Sequence, residues 1–137
     1  MITLDQYVGP HSKSPSWTKA MKADAFKFLT ICAGLYTEMV AAGVVFPINP
    51  KTGTCVSGST FGGFRPPECP QGSPKSSHKE GTGVDWYDPS GVIDDWCISH
   101  IARLAHHGIY IEHPSKTQGW SHWTTRRPGS GNRAFYP

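Results

Sequence analysis

Ser76-Ser77-His78-Lys79-Glu80-Gly81-Thr82-Gly83-Val84-Asp85 sets a histidine and an aspartate seven residues apart, with two glycines between them. Both side chains bind divalent metals, and the glycines let the backbone turn so that the two can meet at one point. A third ligand then has to come from far along the chain. His122, in Gly119-Trp120-Ser121-His122-Trp123, is the natural candidate. Histidine, aspartate and histidine with one position open is a catalytic zinc arrangement, because the open position accommodates an activated water. Spacing alone is equally compatible with a plain loop hydrogen bond between His78 and Asp85 and a half-buried His122 on a strand.

The flanking pattern places these residues on elements. Residues 84–87 read as a strand, with Asp85 and Tyr87 on one face and Val84 and Trp86 on the other. Asp88-Pro89 opens a helix with Asp88 as its N-cap. Its apolar positions Ile93, Cys97, Ile101 and Leu104 follow a 3.6 period, and Gly108 ends it. Residues 109–112 and 120–124 form the two strands of a hairpin across a turn at 114–119. Upstream, residues 44–75 are rich in Gly, Pro, Ser and Thr, with one short strand expected around 54–64, before Arg65-Pro66-Pro67.

Ser14-Pro15 marks the start of the main core helix, serine as N-cap and proline at the first helical position. Phe28, Leu29, Cys32, Leu35, Tyr36, Met39 and Val40 recur at helical spacing, and Gly43 closes the helix. Residues 1–13 read as an irregular N-terminal arm and 126–137 as a C-terminal tail. The order helix, strands, helix, hairpin predicts one α+β domain over 1–137, with a small antiparallel sheet and two main helices.

Bulk properties agree with a single globular core. The chain has 137 residues, 37% hydrophobic and 12% aromatic. Its 15 glycines and 12 prolines predict long loops between few regular elements. A net charge of +3 without any Lys/Arg run argues against nucleic acid as a partner. No apolar run is long enough for a membrane span. Met1-Ile2-Thr3-Leu4-Asp5-Gln6 has neither a basic nor an apolar leader region, so no signal peptide is expected. None of Cys32, Cys55, Cys69 and Cys97 forms a CxxC pair. Cys32 and Cys97 read as small buried hydrophobes, whereas Cys55 and Cys69 flank one loop and are near enough in sequence to bridge.

Gly62-Gly63-Phe64-Arg65-Pro66-Pro67, then His78-x-x-Gly81-x-x-x-Asp85, then Trp120-x-His122, resembles the zinc D-alanyl-D-alanine carboxypeptidases and endopeptidases of peptidase family M15, whose fold is shared with the Hedgehog signalling domain. The resemblance runs over most of the chain. The opening Met1-Ile2-Thr3-Leu4-Asp5-Gln6-Tyr7 and the ending Pro128-Gly129-Ser130-Gly131-Asn132-Arg133-Ala134-Phe135-Tyr136-Pro137 are similar to small phage- or prophage-encoded members. The resemblance implies a Hedgehog/DD-peptidase-like fold, Zn2+ on His78, Asp85 and His122, and a peptidoglycan peptide substrate cut at a stem-peptide or cross-link amide. It further implies an endolysin-like protein made in the host cytoplasm, acting on the cell wall either free or carried on the virion. Arg65 would bind the scissile carbonyl oxygen or a substrate carboxylate, both suited to a guanidinium fork.

One departure stands out. Many members carry a glutamate three residues before the last histidine ligand, where this chain has Gly119. Glu112 is the best substitute as general base, because a hairpin would bring its strand beside that of His122, and Hedgehog-like members also supply a glutamate from the preceding strand. His113, next to Glu112, is a further polar candidate for the cleft. The same departure motivates a rival reading, a non-catalytic zinc-containing phage structural or wall-binding module of the same fold.

Overall fold

In the computed structural model, which describes residues 1–137, the chain opens with a helix where an irregular arm was expected. Thr3 Oγ1 accepts from the Gln6 amide at 3.1 Å, and Gln6 Oε1 accepts from the Thr3 amide at 2.9 Å. This reciprocal capping box starts α1 (Leu4–Val8), which buries Tyr7 and Val8.

The main core helix, α2 (Lys19–Ala41), begins later than Ser14-Pro15 suggested. Thr18 is its cap, accepting from the Met21 amide at 3.1 Å, while Ser14 closes a local turn with Ser16. Trp17 lies between the two, buried against Phe64 with ring centroids 4.8 Å apart, and the helix starts only after that anchor. Phe28, Leu29, Cys32, Leu35 and Met39 are buried as the period predicts, whereas Val40 is exposed.

Residues 54–64 do not form the expected strand. They touch the sheet through an isolated bridge, Val56 to Trp86, and through backbone bonds along the strand β1 (Gly83–Asp88): Ser57 N to Asp85 O, Asp85 N to Gly62 O and Tyr87 N to Cys55 O. The loop thereby satisfies one edge of β1 without building a regular ladder.

After β1, the single helix expected before Gly108 is two: α3 (Val92–Ser99) and α4 (Ile101–His107). The break falls at His100, whose ring lies 4.0 Å from that of Trp96, stacked, and whose Nδ1 bonds the Trp96 carbonyl at 2.7 Å. A side chain thus occupies a carbonyl at the end of α3. α3 starts later than Asp88-Pro89 suggested, with Gly91 in the left-handed region as its N-cap, but Asp88 still serves the first turn, its two carboxylate oxygens accepting from the Ile93 and Asp94 amides at 3.1 and 3.0 Å.

The hairpin is present as β2 (Tyr110–Glu112) and β3 (Gly119–Thr124). The C-terminal tail adds β4 (Ala134–Phe135), parallel to β2, so the sheet is mixed and not antiparallel, in the order β1-β3-β2-β4. Arg133 stacks its guanidinium on Tyr110 at 3.9 Å, and His113 stacks on Tyr136, which fixes the tail to β2. The fold is therefore α+β with four helices and a four-stranded mixed sheet.

Strand alternation gives the sheet two unlike faces. Val84, Trp86, Ile111 and Trp123 turn into the core shared with α2, where Trp86 and Trp123 pack edge-to-face at 5.3 Å. Asp85, Trp120, His122, Thr124 and Glu112 turn to the other side and line a cleft. All four cysteines are buried free thiols, Cys55 and Cys69 included. No helix is long and apolar enough to cross a membrane.

Candidate metal centre

β1 and β3 pair antiparallel with Asp85 opposite His122, so both side chains leave the same face of the sheet. His78 arrives from the 3-10 turn Ser77–Glu80, which is tied to neighbouring segments by Thr82 N to Ser77 O and Arg65 N to His78 O. Asp85 Oδ1 lies 2.7 Å from His122 Nδ1 and 3.2 Å from His78 Nε2, and the two ring nitrogens are 3.2 Å apart. All three residues are buried at the floor of the cleft.

The atoms turned away from this point are each held. His78 Nδ1–H donates to the Gly63 carbonyl at 2.7 Å, which leaves Nε2 with its lone pair toward the centre. His122 Nε2 meets Ser77 Oγ at 3.3 Å. Asp85 Oδ2 accepts from Arg65 Nη2 at 3.0 Å, and Arg65 Nε is donated to the Phe61 carbonyl. Two imidazole nitrogens and one carboxylate oxygen thus face one another, each oriented by an outer partner. That donor set fits a divalent cation, and the outer bonds are those that fix metal-bound histidines and carboxylates.

Gly63 is required for this brace. A Cβ there would lie 1.9 Å from the Tyr7 carbonyl oxygen, so any side chain would push the His78 partner away from α1. Tyr7 also donates its hydroxyl to the Gly83 carbonyl at 2.9 Å, so α1 holds both sides of the ligand turn.

No protein-family model, no curated protein and no solved structure matches this chain.

Burial raises the Asp85 carboxyl, but the charge and hydrogen bonds of His78 and His122 outweigh it and hold it well below the usual carboxylate range. Burial lowers His78, with Asp85 opposing, so its imidazole favours the neutral, metal-binding form. Glu112 stands half-buried in the wall of the same cleft, at the end of β2. Burial pushes its carboxyl above the ordinary value; His122 and Arg65 pull it down and Asp85 adds to the rise.

The cleft has a volume of about 550 Å³ and an open mouth. Arg65 belongs to its wall, with Nη2 on Asp85 and Nε on the Phe61 carbonyl rather than directed at a ligand. Trp120 also lines it, while Trp86 and Trp123 are core. His113 does not: it bonds Ser115 and stacks on Tyr136. His107 pairs with Glu38 at 2.7 Å, away from the cleft. Gly119 has φ +94°, a backbone conformation that strains any residue with a side chain, so β3 is not built to present a glutamate there. Sequence reasoning missed Arg126, Phe135 and the Gly63 carbonyl. Arg126 and Phe135 lie in a segment without periodicity, and a backbone acceptor leaves no trace in residue type.

Proposed function

We propose that this chain is a zinc-dependent peptidase that hydrolyses amide bonds in peptidoglycan stem peptides or cross-links. The observation that carries the reading is the convergence of His78, Asp85 and His122 at the floor of an open cleft that also contains Glu112. The resemblance of the motifs to peptidase family M15, with its Hedgehog/DD-peptidase fold, supports the choice of zinc and of a cell-wall substrate. The similarity of both chain ends to small phage-type members supports a role in lysis or entry.

His78, Asp85 and His122 would hold zinc, which would supply a Lewis acid for the peptide carbonyl and lower the pKa of water in the site to roughly 7. Arg65 keeps Asp85 oriented through its Nη2. Glu112, raised by burial, takes a proton from the attacking water and delivers it to the leaving nitrogen as the carbon–nitrogen bond breaks. Purified protein incubated with cell-wall peptides is expected to release new amino groups, to stop when EDTA is added and to recover with zinc. Zinc-loaded protein that leaves every wall chemotype intact would overturn the reading.

Gly119 favours a second reading, a zinc-containing binding module without hydrolysis. Glu112→Gln separates the two. A peptidase loses about 100-fold or more in kcat while its zinc content stays the same; a binding module shows no turnover to lose and keeps its affinity for wall fragments.

A further inference from the structure

Two arginines reach the cleft, and they are not in the same state. Arg65 has spent its Nε and Nη2 on Phe61 and Asp85. Arg126, at the mouth with its side chain 43% exposed, bonds the Lys75 carbonyl and Glu80 Oε1 through Nη1 alone. Its Nε and Nη2 have no partner in the protein. These two N–H groups form the edge of the guanidinium that matches a carboxylate bidentately.

The side chain is also held in place. Its own amide bonds Thr124 Oγ1 at 3.0 Å, the preceding Thr125 amide bonds the Thr82 carbonyl, and the Nη1 contacts tie the guanidinium to Lys75 before the ligand turn and to Glu80 at its end. Glu80 does not saturate the arginine, since it is 49% exposed and touches one nitrogen only. Trp120, Pro128, Phe135 and Pro137 supply apolar wall in the same cleft. Arg65 and Arg126 against Asp85, Glu112 and Glu80 still leave the cleft positive once a divalent cation is held, which favours an anionic ligand.

We infer that Arg126 is the specificity residue of this cleft, binding a free carboxylate of the peptide substrate on its Nε–Nη2 edge. The inference rests on the peptidase reading and narrows it to stem-peptide segments that carry a free carboxylate near the scissile bond. Of the free carboxylates of stem peptides, the inference commits to two, the C-terminal carboxylate and the α-carboxylate of γ-linked D-glutamate.

The test is calorimetric binding to zinc-loaded protein in the Glu112→Gln background, so that ligands are not consumed. One pair of probes is diacetyl-L-lysyl-D-alanyl-D-alanine and its C-terminal amide. The other is acetyl-L-alanyl-γ-D-glutamyl-alaninamide with the glutamate α-carboxylate free or amidated. In one pair the acid is expected to bind about tenfold tighter than the amide. Arg126→Gln brings acid and amide within about twofold, leaving the amide's affinity and the zinc content unchanged, and Arg126→Lys restores part of the preference. Which pair responds identifies the carboxylate. The inference is overturned when neither acid outbinds its amide, when the preference survives Arg126→Gln, or when acid and amide weaken equally. Hydrolysis is scored separately with Glu112 intact. Acid-selective binding through Arg126 without turnover would refute the peptidase reading alone.

Discussion

Asp85 serves two partners with its two oxygens. Oδ1 faces the two imidazoles, and Oδ2 accepts from Arg65. Burial alone would favour a neutral carboxyl, and the surrounding positive charge reverses that. Asp85→Asn keeps the shape and removes the charge, so it removes a ligand and leaves the Arg65 guanidinium, itself only 13% exposed, facing an amide. Elemental analysis should find the bound metal lost. In urea, the metal-free variant should be less stable than the metal-free parent by about 3 kcal/mol, the scale of breaking a buried ion pair on one side. A difference below about 1 kcal/mol would show a pair screened by solvent in the open cleft.

α1 acts on the centre without touching it. Tyr7 holds the Gly83 carbonyl through its hydroxyl, and its own carbonyl accepts from Phe64 N beside Gly63, the His78 partner. Tyr7→Phe leaves a buried carbonyl unpaired, which costs about 1–2 kcal/mol. Thermal melting should fall by roughly 5 °C while the metal stoichiometry is kept. A fall in stoichiometry would place Tyr7 closer to the ligand geometry than the hydrogen bonds indicate. The elements that the sequence made legible are those with a repeated period: the buried stripe of α2, the alternation of β1 and the hairpin of β2 and β3. α1 has only five residues, too few for a period, although Thr3 and Gln6 spell out its capping box. β4 exists because its two residues find Ile111 and Glu112 far back in the chain, a pairing no local pattern encodes. The break between α3 and α4 depends on how His100 lies on Trp96. At the site, His78, Asp85, His122 and Glu112 were legible because their chemistry is in the side chain. Arg126 was hidden because its role comes from the donors it leaves unused.

Across the whole molecule, two carboxylates away from the ligand set give stability a pH dependence of opposite sign. Glu38, bonded by Arg103 and His107 between α2 and α4, is lowered to about 2 from 4.5. Its contribution is complete above the unfolded value and is lost as pH falls through about 2. Asp94, at the start of α3, is raised to about 6 from 3.8, because burial outweighs the nearby hydroxyls of Ser121 and Thr117, the latter donating to Oδ2 at 3.0 Å. Its Oδ1 is buried without a hydrogen-bond partner. Between those two values the folded state binds the extra proton, so stability falls as pH rises from about 4 to about 6, and the full cost remains above that. A shift of this size corresponds to about 3 kcal/mol, a sizeable share of the stability of a domain this small. Asp94→Asn offers Thr117 the same acceptor without a charge. Urea denaturation of metal-free protein, which removes the separate pH dependence of metal binding, should show the variant gaining on the parent through that window and holding a constant advantage at pH 7 and above. The Glu38 window lies lower, so the comparison reads Asp94 alone. Parallel curves for the two proteins would mean that Asp94 ionises as freely in the fold as in the unfolded chain, and that the contact between α3 and the segment entering β3 opens to water.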